Sequence, residues 1–222
     1  MKDISVFDVI GPNMIGPSSS HTAGALKIAL MAKKIIGCKV MKAHFILYGS
    51  FARTYRGHGT DRALIAGILN YGTEDRRIRD AFRYADEAHL EYQFSTNTTN
   101  QDVHPNTVEM VLTDEHGESY TIIGESIGGG EVRLRKLNGI EISLDGNYRT
   151  LLVQMVDKPG TLAHVTRCMS EWNVNIAFLR MYRESKGEAS YAVLEIDGEA
   201  PQEALDAVLA HDLIKKVTVI QL

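Results

Sequence analysis

The stretch YRTLLVQMVDKPGTLAHVTRCMSEWN, residues 148–173, reads as a strand, a tight turn and an amphipathic helix in direct succession. Apolar residues alternate over residues 148–156, and the Asp-Lys-Pro-Gly sequence at residues 157–160 is typical of a turn. One helical face then collects Leu162, Val165, Cys168, Met169 and Trp172. This pattern predicts a strand that is followed at once by a helix.

The residues that follow continue the same rhythm. Residues 175–184 and 188–197 have the composition of strands, residues 201–212 have a helical pattern, and residues 213–222 favour a last strand. The resulting order, β-α-β-β-α-β, is that of a ferredoxin-like unit. We therefore predict a ferredoxin-like domain over residues 148–222.

A turn-rich segment, Asp145-Gly146-Asn147, separates this unit from a first domain that we assign to residues 1–145. The elements expected in the first domain are a strand at 5–10, a helix at 22–36 ended by Gly37, a strand at 38–49, helices at 60–72 (with Thr60 as N-cap) and 75–90, and mostly strands over 91–144. This order predicts an α+β fold with an antiparallel sheet or a partial barrel.

Composition excludes several classes of protein. The 222 residues are 44% hydrophobic and 23% charged, which is typical of a globular protein with one large or two small domains. The net charge is -4 and no block of basic residues marks a nucleic-acid surface. No segment approaches the roughly 18 apolar residues of a membrane span, and the apolar run near the start is too short for a signal peptide. We expect a cytoplasmic protein that binds neither membrane nor nucleic acid.

The two cysteines, Cys38 and Cys168, lie far apart and neither belongs to a C-x-x-C pair. Apolar neighbours flank both, so we interpret them as small buried hydrophobic residues rather than metal or redox groups. The sequence therefore predicts no metal ligands in this chain. It also follows that the chain alone cannot supply the three or four thiolates that an iron–sulfur cluster needs.

The segment IGPSSSHTAGALKIALMAKKI, residues 15–35, places a polar cluster at the start of a predicted helix. The cluster consists of Ser18, Ser19, Ser20, His21 and Thr22. Unpaired N–H groups at a helix N-terminus favour an anion, and hydroxyl groups beside them add donors. Helix capping would need only one hydroxyl. A Ser–His hydrolase dyad is disfavoured because chain neighbours point apart and no G-x-S-x-G motif is present.

Two further loops carry a histidine. His58 lies between Gly57 and Gly59, ahead of Thr60, and such a backbone is free to approach a ligand. In the second loop His104 precedes Pro105 and Asn106, and an Asn side chain offers both a donor and an acceptor. A flexible loop and an ordinary turn would explain each segment alone. Three such loops in one domain favour a shared site.

Four segments carry a resemblance to a known family: VFDVIGPNMIGPSSSHTAGA, GSFARTYRGHGTDRAL, HPNT and YRTLLVQMVDKPGTLAHVT. They resemble the beta subunit of bacterial iron–sulfur-dependent L-serine dehydratase, and the resemblance covers essentially the whole chain. The first domain also resembles the allosteric-substrate-binding domain of some phosphoglycerate dehydrogenases. The second domain resembles an ACT domain, a small-amino-acid-sensing module.

The resemblance implies an L-serine ammonia-lyase that converts L-serine to pyruvate and ammonia without pyridoxal phosphate, as part of amino-acid catabolism and gluconeogenesis. It implies a [4Fe–4S] cluster, held by cysteines of an alpha subunit, whose open iron acts as a Lewis acid on the serine hydroxyl. The active protein would be a heterodimer with that subunit. A monovalent cation is also linked to activity in the family.

The resemblance and the residue patterns together give the expected site. His21 and His58 are the expected catalytic residues, and the base that removes the Cα proton is left unassigned. The expected substrate-binding residues are Ser18, Ser19, Ser20, Thr22, Thr60, His104 and Asn106. In the ACT-like domain the expected effector-binding residues are Asp157, Gly160, Thr161, Asn173 and Asn175, although a simple turn and a helix stop would explain them too. Self-association through ACT domains is also expected.

Two hypotheses of different class remain. The chain is either a catalytic subunit that completes an active site with a cysteine-bearing partner, or a regulatory module that binds serine or another small amino acid. The Ser-Ser-Ser-His-Thr segment favours the catalytic subunit.

Overall fold

The computed structural model describes residues 13–99 and 102–221 of the chain. The chain divides into two compact units, Met1–Asn138 and Gly139–Leu222. The sequence-based limits, 1–145 and 148–222, differ from this division in placing the strand Ile140–Leu144 with the first domain, and they stay predictions. The strand expected at 5–10 lies outside the described residues.

Helices of the first unit follow the predicted positions closely. A π-helical turn, Ser19–Gly24, leads directly into helix α1 (Ala25–Ile36), and Gly37 ends that helix with a left-handed φ of 80°. The other elements are α2 (Gly49–Thr54), α3 (Thr60–Ile68), a 3-10 turn (Arg76–Asp80) and α4 (Ala81–Glu87). The three predicted helices are confirmed, whereas α2 was not predicted. The N-cap of α3 is Gly59 and not Thr60, so that prediction was wrong.

The first unit also contains a mixed sheet. Its strands are β1 (Val40–Tyr48), β2 (Glu91–Asn97), β3 (Thr107–Asp114), β4 (Ser119–Gly128) and β5 (Glu131–Leu137). Within this unit they are ordered β2-β1-β3-β4-β5. The expectation of an antiparallel sheet is wrong at one edge, because β1 and β2 are parallel. Helices connect these two strands, and a parallel pair requires such a crossover instead of a hairpin.

Helix α1 lies at the centre of the first core. On one side it contacts α3 so closely that a Cβ on Gly67 would lie 2.5 Å from the Leu26 carbonyl oxygen and 2.6 Å from Ala29 Cβ. On the other side Ile28 packs against Gly124 of β4. Large apolar side chains such as Leu26 and Met31 are fully buried, and each contributes about 1.5–3 kcal/mol to folding. This packing fixes the position of the π-helical turn that precedes α1.

Gly67→Ala is expected to reduce the free energy of unfolding by about 1–3 kcal/mol, because the added methyl group forces α1 and α3 apart. The gain in helix propensity of about 1 kcal/mol offsets this loss only in part. Denaturant titration of the purified chain measures the change. Gly72→Ala is the control, since nothing lies within 4 Å of a Cβ at that position. Equal stability of Gly67→Ala and the unmodified chain would contradict the tight contact.

The second unit confirms the predicted β-α-β-β-α-β order. After β6 (Ile140–Leu144) its elements are β7 (Arg149–Val156), α5 (Thr161–Glu171), β8 (Ile176–Arg183), β9 (Ala189–Ile196), α6 (Gln202–Leu209) and β10 (Ile214–Ile220). The four-stranded sheet has the order β10-β7-β9-β8, with every neighbouring pair antiparallel. Val153, Val165, Met169 and Val208 are among the residues of its core. The chain therefore has the predicted α+β fold.

The two cysteines differ from each other. Cys168 is buried in the core of the second unit, as expected. Cys38 is only half-buried, and its thiol donates a hydrogen bond to the Asp114 carboxylate at 3.3 Å. The interpretation of Cys38 as a buried hydrophobic residue is therefore wrong, because the chain turns outward between α1 and β1. No helix among the described residues is long and apolar enough to span a membrane.

Candidate functional site

The polar cluster at residues 18–22 forms a π-helical turn at the head of α1. Ser18 has an extended backbone, and its hydroxyl accepts a hydrogen bond from the His21 backbone N–H at 3.0 Å. Two successive N–H groups, those of Thr22 and Ala23, donate to the Ser18 carbonyl at 2.9 and 3.3 Å. Turns of this wide type are rare and often occur at functional sites. Ser19 and Ser20 are half-buried within this turn.

The His21 imidazole is held by residues from two segments. Its Nε2 lies 2.9 Å from the Ser50 hydroxyl, and its Nδ1 lies 3.5 Å from the Ser18 hydroxyl. The edge of Phe51 packs against the ring, with 5.3 Å between the ring centroids. The side chain is half-buried and therefore has a fixed orientation while it stays accessible. Its tautomer decides which nitrogen donates.

The second predicted loop meets the first at His58. The His58 and His21 rings are tilted against each other with centroids 4.9 Å apart. Thr22, which is buried, donates its hydroxyl hydrogen to the His58 carbonyl at 2.8 Å. The structure therefore brings both expected catalytic histidines together. The roles assigned to them stay predictions.

The third predicted loop contacts the N-terminus of α2. Gly49 has a φ of 51°, and a Cβ there would lie 2.6 Å from the Pro105 carbonyl oxygen, so glycine is needed at this contact. The Ser50 N–H donates to the same oxygen at 2.6 Å. Ser50 therefore joins the His21 cluster to the His104–Asn106 loop.

The polar side chains of this third loop form hydrogen bonds within the loop and with the neighbouring strand β4. His104 Nδ1 accepts from the Asn106 N–H at 3.2 Å, and the Asn106 amide donates to the Ser126 carbonyl at 3.4 Å. The Ser126 backbone N–H in turn donates to the Asn106 carbonyl at 2.9 Å. The loop is thus bound to β4, and substrate binding by His104 and Asn106 stays a prediction.

Two buried hydroxyl groups near these loops have no hydrogen-bond partner within residues 13–99 and 102–221. They belong to Thr60, the first residue of α3, and Ser126 of β4. Ser126 packs directly under Gly24, where no side chain has room. The sequence pointed to Thr60 but not to Ser126 or Ser50, because no motif marks these two serines.

A pocket of about 230 Å³ opens beside the histidines, and three arginines line it: Arg56, Arg62 and Arg79. The other lining residues are Ile15, Gly16, Pro17, Thr22, Gly57, His58, Gly59 and Ile78. None of them is acidic. Among the described residues none of the three arginines forms a salt bridge. The pocket therefore suits an anion, since guanidinium groups pair well with carboxylates.

These three arginines were not among the site residues predicted from the sequence. Arg56 and Arg62 flank the Gly-His-Gly loop in the chain, so the segment itself carried a signal. Arg79 comes from the 3-10 turn, and only the fold brings it to the same pocket. Positive charge next to the predicted histidine loop therefore indicates two of the three arginines in the sequence itself.

Burial and neighbouring charge favour the neutral form of the His21 imidazole. Burial lowers the pKa of His21 below its usual value, and the neighbouring His58 lowers it further. Burial also raises the pKa of Asp61 at the start of α3, while hydrogen bonding to Arg62 N–H and the charges of Arg62 and Arg56 oppose that rise. A neutral imidazole at neutral pH has one nitrogen free to accept a proton.

The His21 pKa gives a test by NMR titration of the imidazole protons of the purified chain. His21 is expected to titrate below 6.5, and His58→Asn is expected to raise its pKa because a repelling charge is removed. The unfolded chain binds a proton on this histidine more readily than the folded chain does. His21 therefore lowers stability as the pH falls from about 6.5 to its folded pKa. A His21 pKa at or above 6.5 would contradict the assignment.

The expected effector-binding residues are spread over the first loop and helix of the second unit. Asn173 and Asn175 line a pocket of about 380 Å³ with Thr166 and Ser170, and Asn173 lies just beyond the C-cap of α5 with a φ of 54°. The Asn175 amide also donates to Asp197 at 2.6 Å.

The other three effector candidates lie at the opposite end of α5. Asp157 accepts a hydrogen bond from Arg183 at 3.0 Å, and Gly160 is the N-cap of α5 with a φ of 93°. Thr161 is buried, and its hydroxyl has no partner among the described residues. Effector binding by these residues stays a prediction.

Comparison with known proteins agrees with this arrangement. The profile of a family described as serine dehydratase beta chain matches residues 5–136. The chain is 40% identical over 218 residues to the "Probable L-serine dehydratase, beta chain" of Bacillus subtilis, with 98% of each chain covered. It is also 40% identical over 209 residues to the "L-serine dehydratase, beta chain" of Peptoniphilus asaccharolyticus, with 94% of each covered.

A third relative is larger. The "L-serine dehydratase" of Haemophilus influenzae is 42% identical over 73 residues, which are 31% of this chain and 16% of that protein. The two beta chains match nearly end to end, and the family profile spans the histidine loops and the arginine-lined pocket. The chain therefore belongs to the family of serine dehydratase beta chains.

Proposed function

We propose that this chain is the beta subunit of an L-serine ammonia-lyase, which converts L-serine to pyruvate and ammonia and is active only with an alpha subunit. The observation that carries the proposal is the meeting of His21, Ser50 and His58 beside a pocket lined by three arginines that form no salt bridge with the described residues. Near-complete matches to two proteins named L-serine dehydratase beta chain support the same substrate. The reaction belongs to cytoplasmic amino-acid catabolism that feeds gluconeogenesis.

The pocket supplies what a serine carboxylate needs. Arginine offers two parallel N–H donors to a carboxylate, and none of the three guanidinium groups is held in a salt bridge by another described residue. Thr22 lines the same pocket, but its hydroxyl already donates to the His58 carbonyl. Arg56, Arg62 and Arg79 are thus the strongest anion donors at this site, and the serine hydroxyls of the π-helical turn are secondary.

The histidines supply proton transfer. A neutral His21 accepts a proton at one nitrogen while Ser50 or Ser18 orients the other. His58 stands next to it and is the second candidate for the same task. A positioned acid or base of this kind contributes roughly 10²–10⁴-fold to a rate. Turnover by variants of His21, of His58 and of the partner subunit identifies the group that removes the Cα proton.

The iron–sulfur cluster does not fit on this chain. A [4Fe–4S] cluster is held by three or four cysteine thiolates, whereas the chain has two cysteines, one in each compact unit. We assign the cluster to the alpha subunit. The naming of both near-full-length relatives as beta chains supports such a partner, and so does the much longer Haemophilus influenzae protein.

The second unit is assigned a regulatory role as an ACT domain that self-associates and takes a small amino acid or a monovalent cation. Its ferredoxin-like strand order supports this role. Strand β8 lies at the sheet edge and exposes Phe178, Leu179 and Met181, which is suitable for pairing with a second copy. A purely regulatory, serine-binding module is the alternative function, and the pocket near Asn173 favours it.

Anaerobic co-expression with a candidate alpha chain tests the proposal. Pyruvate formation from L-serine is expected for the complex, and neither turnover nor cluster absorbance is expected for this chain alone after treatment with iron and sulfide. A stable complex with a loaded cluster but without serine turnover would favour the regulatory alternative. Pyruvate formation or a stoichiometric cluster on this chain alone would contradict the division of labour between the two subunits.

A further inference from the structure

A second cluster of reactive side chains lies outside the site described above. It consists of Cys38, Glu115 and His116, whose thiol sulfur, carboxylate oxygen and imidazole nitrogen all lie within 4.8 Å of one another. Cys38 belongs to the connection between α1 and β1, and the other two residues belong to the turn between β3 and β4. The three residues do not line the arginine pocket or contact the histidine pair.

A buried carboxylate orients this cluster. Asp114 is 3% exposed, and one of its oxygens accepts from the Cys38 thiol at 3.3 Å. Its other oxygen accepts from the backbone N–H groups of His116 and Glu118, each at 2.9 Å. An outer carboxylate of this kind fixes ligand-bearing residues before a metal arrives.

Backbone contacts hold the two segments together as well. The Glu115 N–H donates to the Lys39 carbonyl at 2.9 Å, and the Lys39 N–H donates to the Glu115 carboxylate at 3.1 Å. Val40 and Asp114 are paired in the β1–β3 ladder. The strand pairing and these backbone hydrogen bonds therefore keep the three donor residues next to one another.

The donor set selects the kind of ion. A thiolate, an imidazole and a carboxylate suit zinc, whereas magnesium and calcium prefer oxygen ligands alone. Asp114 and Glu118 add negative charge next to the cluster, which attracts a cation. Two of the three ligand residues are exposed, so a water molecule has access to a fourth position.

We propose that Cys38, Glu115 and His116 bind one divalent cation of the zinc class, with water completing the coordination. The Cys38 thiol releases its proton to solvent on binding, and no electron is transferred. The ion links the end of α1 to the β3–β4 turn and stabilises the first unit. The proposal departs from the sequence-based prediction of no metal ligand. It is independent of serine turnover, and one thiolate cannot hold an iron–sulfur cluster.

Cobalt titration of the metal-free, reduced full-length chain tests the site. One Co²⁺ per chain is expected, with a thiolate-to-cobalt charge-transfer band and the visible bands of a four-coordinate ion, and Zn²⁺ should displace it. Excess Zn²⁺ is expected to raise the melting temperature by a few degrees, because the assembled site of the folded chain binds it more tightly than the unfolded chain does. Absence of the thiolate band, or a Kd weaker than about 0.1 mM for Zn²⁺, overturns the proposal.

The chain offers a matched control because it has only two cysteines. Cys38→Ser should abolish the thiolate band, while Cys168→Ser should keep it, after circular dichroism shows that both variants are folded. His116→Asn retains the thiol and should weaken metal binding by at least about 10–100-fold, since loss of a mere outer-shell partner already costs that much. A band that survives Cys38→Ser, or unchanged affinity in His116→Asn, shows that the metal binds elsewhere and overturns the proposal.

Discussion

His21→Ala is expected to lower serine turnover by the assembled alpha–beta complex roughly 10²–10⁴-fold, the usual loss for a positioned proton-transfer group. Three features of the structure make this residue the strongest candidate. Its imidazole is oriented by Ser18 and Ser50, its pKa is lowered by burial and by His58, and its ring packs against His58, which lines the arginine-lined pocket. Steady-state pyruvate formation at saturating L-serine measures the change.

His44→Ala is the matched control for this variant. His44 is also half-buried and its Nε2 also lies near a serine hydroxyl, that of Ser95 at 2.8 Å, but it belongs to β1 and lies apart from the histidine loops. Its removal should leave turnover within a few-fold of the unmodified complex. If His21→Ala binds the alpha chain and retains turnover within a few-fold, His21 has no part in the chemistry.

Simultaneous replacement of Arg56, Arg62 and Arg79 by glutamine is expected to raise the KM for L-serine by more than about 10²-fold. Each hydrogen bond to a charged group contributes roughly 1.5–3 kcal/mol, so the loss of even one good carboxylate contact costs about 10–10²-fold in affinity. The three single variants then show which guanidinium carries most of the effect. The kcat should change less than the KM, because the carboxylate does not react.

Arg53 and Arg76 provide the control. Both are exposed, and neither lines the pocket. The double variant Arg53→Gln, Arg76→Gln removes nearby positive charge without changing the site, and its KM should stay within about two-fold. Inhibition by 3-hydroxypropanoate, which has the carboxylate but no amino group, should weaken in parallel with the KM in the pocket variants. An unchanged KM in an active pocket variant would place the serine carboxylate elsewhere while leaving the proposed reaction intact.

Local sequence signals were reliable where one short segment contains the whole cause. The β-α-β-β-α-β order of the second unit follows from alternation, turn residues and one amphipathic face per helix, and the structure confirms each element. Helix α1 ends at Gly37 as predicted, because a left-handed residue favours glycine. Errors arose where two segments meet: α2 was missed, the N-cap of α3 is Gly59, and β1–β2 pairing is parallel.

The sequence by itself determined the α+β class, the family and the three histidine loops, since these depend on residue types at fixed spacing along the chain. Only the tertiary structure placed Ser50 on His21, Arg79 beside Arg56 and Cys38 beside His116. Each of these pairs joins segments distant in the chain, which helix packing and strand pairing bring together, as the pairing of Val40 with Asp114 does for Cys38 and His116. Periodicity records which face of an element is buried, but it does not record which distant element covers that face.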